Sequence, residues 1–169
     1  MATKKPRTGY SQKSPTMTHL TEGQAAPNID TADHQGNPLK LADFRGKKVV
    51  LYFYPKDDTP GCTAEACSFR DHYTQLQEMG FEIIGVSGDS TKKHQNFAAK
   101  YDLPFRLIAD TEKEVIQAYG VWGLKKFMGR EYEGIHRETF VIDEEGNIAK
   151  IYPKVKTKEA AEQIMADFA

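Results

Sequence analysis

The chain has few cysteines and no excess of either charge. Its 169 residues include two cysteines and one tryptophan, and 23 basic side chains nearly balance 24 acidic ones, giving a net charge of −1. Two cysteines are too few for the disulfide scaffold of a small secreted domain. A balanced charge gives no long-range attraction to nucleic acid or to an anionic membrane surface. We therefore expect neither nucleic acid nor a membrane as a partner.

Long apolar runs are also missing. The longest covers residues 49–54, whereas a membrane-spanning helix needs about 20 apolar residues. No segment shows the positive charge followed by an apolar stretch that is typical of a secretory signal. We therefore expect a cytoplasmic protein. Hydrophobic residues still make up 39% of the chain, which is enough for the core of one domain.

The first 21 residues differ in composition from the rest. They contain four basic side chains and no acidic one, with frequent proline, serine and threonine. Such a segment cannot bury enough apolar surface to offset the entropy lost on ordering it. We expect a flexible basic tail at residues 1–21 and a single domain at residues 22–169.

Predicted strands alternate with predicted helices along this domain. The elements are, in order, a hairpin at 28–31 and 38–41, strand 48–54, helix 60–78, strand 81–87, helix 90–101, strand 105–109, helix 113–119, a hairpin at 138–143 and 149–152, and a helix from 158 to the end. The segment at 48–54 is apolar without alternation, as is typical of a strand buried on both faces, and 81–87 is predicted to be a second buried strand. The order predicts an α/β, thioredoxin-like fold with a central mixed sheet flanked by helices and an N-terminal hairpin addition.

The segment most informative about function joins the first buried strand to the next helix. Thr59 suits the N-cap position and Pro60 the first helical position, which places Cys62 in the first turn. There its sulfur meets free backbone N–H groups and the positive end of the helix dipole. Both favour a thiolate, the reactive form of cysteine.

The spacing of the two cysteines constrains any disulfide between them. Cys62 and Cys67 are five residues apart on one predicted helix, so their Cα atoms would lie roughly 8–9 Å apart. A disulfide needs less than about 7 Å, so the first turns must unwind before the sulfurs can bond. Alternatively, both cysteines could simply be small apolar residues of the core.

Three functions besides that of a redox-active cysteine pair remain open from the residues alone. A zinc site could use Cys62, Cys67 and His72, but zinc sites usually have four ligands on tighter loops. A thioredoxin-type disulfide oxidoreductase would share the fold class, but it uses a C-x2-C pair. A holdase-like interaction protein could expose apolar surface as the helix unwinds. Catalytic turnover that needs Cys62 would separate an enzyme from a pure binder.

Several blocks of sequence resemble the peroxiredoxins, specifically the bacterioferritin comigratory protein or peroxiredoxin Q group. The blocks are Pro55-x3-Thr59-x2-Cys62, Cys67 after four intervening residues, Gly85–Ser90, Tyr119–Gly123 and Gly134–Asp143. The likeness runs from about Leu20 to Ala169. The combination is far more specific than any single block.

This resemblance implies a role for five residues. Cys62 would be the peroxidatic nucleophile, and Cys67 would resolve its sulfenic acid through an intramolecular disulfide. Thr59 would hydrogen-bond the bound peroxide, and Pro55 would shield the sulfur. Arg137 would stabilise the thiolate and polarise the peroxide, which suits its permanent charge and its fork of donors.

The resemblance also implies partners. The substrates would be hydrogen peroxide and organic hydroperoxides, and thioredoxin or glutaredoxin would return the disulfide to the dithiol. No metal and no bound organic cofactor would be needed. The group it resembles is often monomeric, and we expect a monomer here.

Overall fold

The computed structural model of the chain describes residues 18–169. Its strands are β1 Asp30–Ala32, β2 Pro38–Lys40, β3 Lys48–Phe53, β4 Phe81–Ser87, β5 Arg106–Ala109, β6 Trp122–Phe127, β7 Arg130–Ile135, β8 Glu138–Ile142 and β9 Ile148–Tyr152. Its α-helices are α1 Pro60–Asp71, α2 Tyr73–Glu78, α3 Thr91–Tyr101, α4 Glu114–Ala118 and α5 Ala160–Phe168. Short 3-10 turns occupy Leu41–Phe44 and Thr157–Glu159.

Five strands form the central sheet in the order β5-β4-β3-β8-β9. Strands β3, β4 and β5 run parallel, and β8 and β9 are antiparallel to their neighbours, so the sheet is mixed as predicted. The predicted N-terminal hairpin is the antiparallel pair β1 and β2. Helical connections follow β3 and β4 because parallel strands need crossovers rather than tight turns.

Strand β3 is buried on both faces and divides the core into two layers. Val49, Leu51 and Phe53 pack into one apolar cluster with residues of α4 and the N-terminal region. The alternate residues, among them Val50 and Tyr52, pack into a second cluster against α1, α3 and α5. Each such side chain contributes about 1.5–3 kcal/mol by leaving water. The second layer contains Cys62, so α1 is fixed to the sheet by the core itself.

Two sequence expectations about local structure were wrong. The helix predicted over residues 60–78 is two helices, because α1 ends at Asp71 and α2 begins at Tyr73. At the break, the ring Nδ1 and the backbone N–H of His72 both lie against the carbonyl of Ser68, which crowds the next helical turn. The sequence predicts no strand between residues 119 and 138, where the structure has the antiparallel hairpin of β6 and β7.

The start of the packed region lies earlier than the sequence indicates. Leu20 is buried in the first apolar cluster, and the Thr18 hydroxyl donates to the carbonyl of Tyr119. The sequence predicts both residues as part of the tail, because the polar composition of residues 1–21 gives no sign of these contacts. Residues 1–17 of that predicted tail lie outside the described residues. Within residues 18–169, each helix is too short or too polar to cross a membrane.

Candidate active site

Cys62 lies where the sequence predicts, in the first turn of α1 after β3. Thr59 has extended backbone angles (φ −100°, ψ 155°), Pro60 follows at the first helical position, and the N–H of Thr63 donates to the carbonyl of Thr59 at 2.8 Å. The Cys62 side chain is only 2% exposed. The sulfur is therefore nearly sealed, at the end of a helix that favours negative charge.

The Thr59 side chain does not cap α1, contrary to the sequence expectation. Its hydroxyl donates instead to the carbonyl of Lys56 at 2.8 Å, within the preceding loop. The hydroxyl oxygen keeps acceptor capacity for another hydrogen. No side chain thus caps the N-terminus of α1, which keeps its positive end available to an anion.

Arg137, which immediately precedes β8, reaches across to α1. Its Nη2 donates to the Cys62 Sγ at 3.3 Å, and its Nη1 donates to Glu65 Oε1 at 2.6 Å. A Cβ added at Gly61 would lie 3.2 Å from that Nη2, so the absence of a side chain at residue 61 allows the close approach. The structure thus brings together two residues that are 75 positions apart, and the guanidinium charge favours a thiolate at Cys62.

Glu65 is a member of this site that the sequence analysis missed. Its side chain is fully buried in α1, and its Oε2 has no hydrogen-bond partner. Burial raises the pKa of Glu65 to about 7, although the charge of Arg137 and its hydrogen bond act in the opposite direction. Mid-helix glutamates usually face solvent, so only the spacing of three residues from Cys62 could have indicated a shared face.

Two contacts with α3 hold the loop that precedes Cys62. The first is buried, with Asp57 Oδ2 lying 2.6 Å from His94 Nδ1 and the other ring nitrogen 2.9 Å from the carbonyl of Ile108. The second is exposed, with Lys100 and Tyr101 both donating to the Asp58 carboxylate at 2.7 Å. The loop is thereby fixed at two consecutive residues, one of which, Asp58, has a positive φ of 58°.

The buried contact does not suit a metal ion, although three potential ligand atoms are close together. Atoms of Asp57, Asp89 and His94 lie within 4.8 Å of one another. Both ring nitrogens of His94 already lie against acceptors, and Asp89 Oδ2 already accepts from the Asp57 N–H and the Ser87 hydroxyl. These potential ligand atoms therefore already have partners within the protein, and the cluster stabilises the loop.

Cys67 lies on the same uninterrupted helix as Cys62. Both are free thiols, and Cys67 is partly exposed. Helical geometry separates their Cα atoms by roughly 8–9 Å, beyond the reach of a disulfide. The structure therefore represents the dithiol form with α1 folded.

Pro55 lies beside an open groove rather than on the helix. The groove has a volume of about 450 Å³ and is bounded by this loop, by Gly88 and Asp89, and by the β6–β7 hairpin with Trp122 and Lys125. Trp122 also packs against the first apolar cluster. The loop that precedes Cys62 thus borders solvent along a surface of aromatic and charged side chains.

Comparisons with known proteins agree on one family. Residues 22–151 match the model of the AhpC/TSA family. The chain is 51% identical over 137 residues to peroxiredoxin Bcp of Bacillus subtilis (strain 168), covering 81% of this chain and 87% of that one. It is 43% identical over 141 residues to peroxiredoxin Bcp of Escherichia coli (strain K12), covering 83% and 90%.

Solved structures give the same result for the fold. Peroxiredoxin Q of Xanthomonas campestris superposes with a TM-score of 0.80 at 34% identity, covering 90% of this chain and 97% of that one. A structure of the bacterioferritin comigratory protein from the same organism, described for its alkyl peroxide reduction activity, has a TM-score of 0.80 at 33% identity, covering 89% and 96%. The predicted thioredoxin-like fold is confirmed by these neighbours. Because the family model and these relatives each cover most of its length, the chain belongs to the AhpC/TSA family, with the Bcp and peroxiredoxin Q proteins, and is a thiol-dependent peroxidase.

Proposed function

We propose that Cys62 is the nucleophile that attacks the peroxide. The observation that supports this most directly is the 3.3 Å contact from Arg137 Nη2 to the Cys62 Sγ at the N-terminus of a helix. The thiolate attacks one oxygen of the hydroperoxide, the O–O bond breaks, and the sulfur becomes a sulfenic acid while an alcohol or water leaves. Two electrons pass from sulfur to oxygen in this step.

Arg137 and Thr59 position the peroxide in this scheme. Arg137 donates to the oxygens on which negative charge develops, and such a preorganised donor is worth on the order of 10²–10³ in rate. Thr59 already donates to Lys56, so its oxygen accepts the hydrogen of the bound peroxide. Pro55 lines the groove beside this loop, and its role in the scheme is to shield the sulfur from water.

Cys67 resolves the sulfenic acid. Its sulfur attacks the Cys62 sulfur, a disulfide forms, and water leaves with the oxygen. Since the helical spacing forbids this bond, the first two turns of α1 unwind first. The contacts that must yield are those to Arg137 and the packing of Ala66 in the second apolar layer.

A dithiol protein then restores both thiols by exchange, itself becoming oxidised. We propose thioredoxin for this role, with glutaredoxin as the alternative, and hydrogen peroxide and organic hydroperoxides as substrates. The alkyl peroxide reduction studied in the Xanthomonas relative supports the organic substrates. We also propose a cytoplasmic monomer with a single domain that includes Thr18 and Leu20, because the chemistry needs a reducing compartment and one chain contains both cysteines.

Turnover of hydrogen peroxide coupled to thioredoxin, thioredoxin reductase and NADPH tests this function. The parent is expected to turn over, Cys62→Ser to show none, and Cys67→Ser to show little because its sulfenic acid has no internal partner. Glutaredoxin in place of thioredoxin distinguishes the two reductants. Peroxide consumption by Cys62→Ser at the parent rate would refute the assignment of the nucleophile.

A further inference from the structure

The scheme above leaves Glu65 without a role, although it contacts the same guanidinium as the nucleophile. Glu65 lies three residues after Cys62 in α1, so both side chains lie on the same face of the helix. One arginine nitrogen donates to the Glu65 carboxyl at 2.6 Å and the other donates to the Cys62 sulfur at 3.3 Å. A single positive charge therefore lies between two acidic groups.

The charge balance of this arrangement depends on one proton. If the Cys62 sulfur and the Glu65 carboxyl were both ionised, Arg137 would compensate only one of two negative charges. An uncompensated charge in a buried position is strongly disfavoured. One proton shared between the two acids leaves the group neutral.

The second carboxyl oxygen of Glu65 gives an independent indication. Glu65 Oε2 is buried without a hydrogen-bond partner, and so are the hydroxyl oxygens of Tyr52 and Thr139. Those two residues are cross-strand partners on the face of the sheet that supports α1. A buried oxygen without a donor is far more costly as part of an anion than as part of a neutral acid.

The neighbouring titratable groups leave Glu65 and Cys62 as the pair that exchanges a proton. Burial raises the pKa of Tyr52 well above its ordinary value, so Tyr52 keeps its proton. The pKa of Arg137 is raised by its two acidic partners despite burial. Burial, followed by the charge of Arg137, lowers the pKa of Lys125, whose Nζ donates to the carbonyl of Ile135.

We propose that Glu65 holds the proton that Cys62 gives up, and releases it when the sulfur is oxidised. This inference rests on the proposed function of Cys62. The reduced site contains the thiolate, the arginine cation and the neutral carboxylic acid. Peroxide then yields the sulfenic acid, the alcohol and the Glu65 carboxylate, which pairs with Arg137 after the sulfur has lost its charge. The proton of Glu65 is the one that the products need, so the site draws none from solvent.

Infrared difference spectroscopy between the dithiol and disulfide forms tests this proposal in the unmodified protein. We expect the C=O stretch of a protonated carboxyl in the reduced protein, and its loss on oxidation by hydrogen peroxide. Glu65→Gln keeps the side-chain size and an oxygen that accepts from Arg137, and it should lack the band. Glu82→Gln, on β4 and bonded to Tyr73, is the matched control and should retain it.

A proton count in weakly buffered indicator solution gives the second readout, with thiolate absorbance measured on the same samples. The parent should show the thiolate and take up almost no proton, whereas Glu65→Gln should take up about one proton per disulfide. A reduced parent without the carboxyl band would contradict the proposal that Glu65 holds the proton of Cys62. So would a parent that takes up about one proton on oxidation, as the variant does. Failure of peroxide to form any disulfide would overturn the proposed function as well.

Discussion

At the scale of single residues, the site depends on Arg137, which links the start of β8 to α1. Arg137 joins the thiol of Cys62 to the carboxyl of Glu65 through separate nitrogens. This forked contact requires a planar group with several fixed donors, which lysine does not offer. The bridge also explains why residue 61 carries no side chain, since a Cβ there would lie 3.2 Å from Nη2.

Arg137→Lys should therefore lose most of the activity. An ammonium cannot contact the sulfur, the carboxyl and the peroxide at once, and we expect kcat/KM for hydrogen peroxide to fall on the order of 10²-fold or more. Steady-state kinetics with Arg130→Lys, an exposed change in β7, provides the control. Equal rates for the two variants would contradict the assigned role.

Gly61→Ala tests the same contact by sterics alone. The new methyl group would displace the guanidinium by a few tenths of an ångström without straining the backbone. Small displacements of a catalytic donor are costly, and we expect kcat/KM to fall on the order of tenfold with little change in unfolding free energy. Gly129→Ala is no suitable control, because residue 129 has a positive φ of 79°. Ala99→Gly is the control, because it removes one methyl group from the exposed face of α3, away from the site. It should leave kcat/KM unchanged.

The sequence could place Cys62 but could not pair it with Arg137 or Glu65. Thr59 and Pro60 indicate a helix start, and that local signal was sufficient for the position of the sulfur. The link between Arg137 and Cys62 spans 75 residues, and only the family resemblance connected them. The only signal for Glu65 was its spacing of three residues from Cys62, and that signal is weak because a glutamate in a helix is ordinarily solvated.

At the scale of elements, α1 has two incompatible requirements. Folded, it places Cys62 against Arg137 at its N-terminus. In the proposed cycle it must unwind so that Cys62 can meet Cys67. The loop before it is tied to α3 through Asp57 and Asp58, so motion is expected to begin after that loop rather than within it. The buried residues Ala66 and Phe69 resist unwinding from the other side.

Disulfide formation should therefore remove helix. We expect far-ultraviolet circular dichroism to lose the signal of about two turns, roughly seven residues, when the reduced parent is oxidised. Cys67→Ser cannot form the disulfide and should show almost no change with one equivalent of peroxide. An unchanged spectrum in a parent whose disulfide is verified by mass spectrometry would refute the unwinding step.

The other elements show where sequence patterns are reliable. The apolar run of β3 and the largely apolar segment of β4 predicted two buried parallel strands with ends correct to within a residue. The sequence predicts no strand for the hairpin of β6 and β7, in which Phe127 is 64% exposed. A strand pair that protrudes from the core has little buried surface, so its sequence lacks the apolar pattern from which strands are predicted.

At the scale of the whole molecule, the buried Glu65 makes stability depend on pH. Its pKa rises from an ordinary 4.5 to about 7 on folding, because burial disfavours the charged form. Between these values the folded state binds more protons than the unfolded one, so the free energy of unfolding falls as pH rises through this window. The total loss is up to about 3 kcal/mol, and above pH 7 the group contributes no further change.

Urea unfolding of the reduced parent and of Glu65→Gln across this window checks the effect. The difference in unfolding free energy between the two proteins should be small at low pH. It should grow toward neutral pH, where the glutamine variant should be the more stable one. Taking the difference removes the contribution of His34, whose pKa burial lowers and which acts in the opposite direction. Parallel pH profiles would contradict the buried, shifted carboxyl.

Oxidation of the fully reduced protein by one equivalent of hydrogen peroxide, followed by peptide mapping, tests the central claim most directly. The account predicts a Cys62–Cys67 disulfide in the parent, a trapped sulfenic acid at Cys62 in Cys67→Ser, and unreacted Cys67 with unconsumed peroxide in Cys62→Ser. A sulfenic acid at Cys67, or rapid consumption of peroxide by Cys62→Ser, would contradict it.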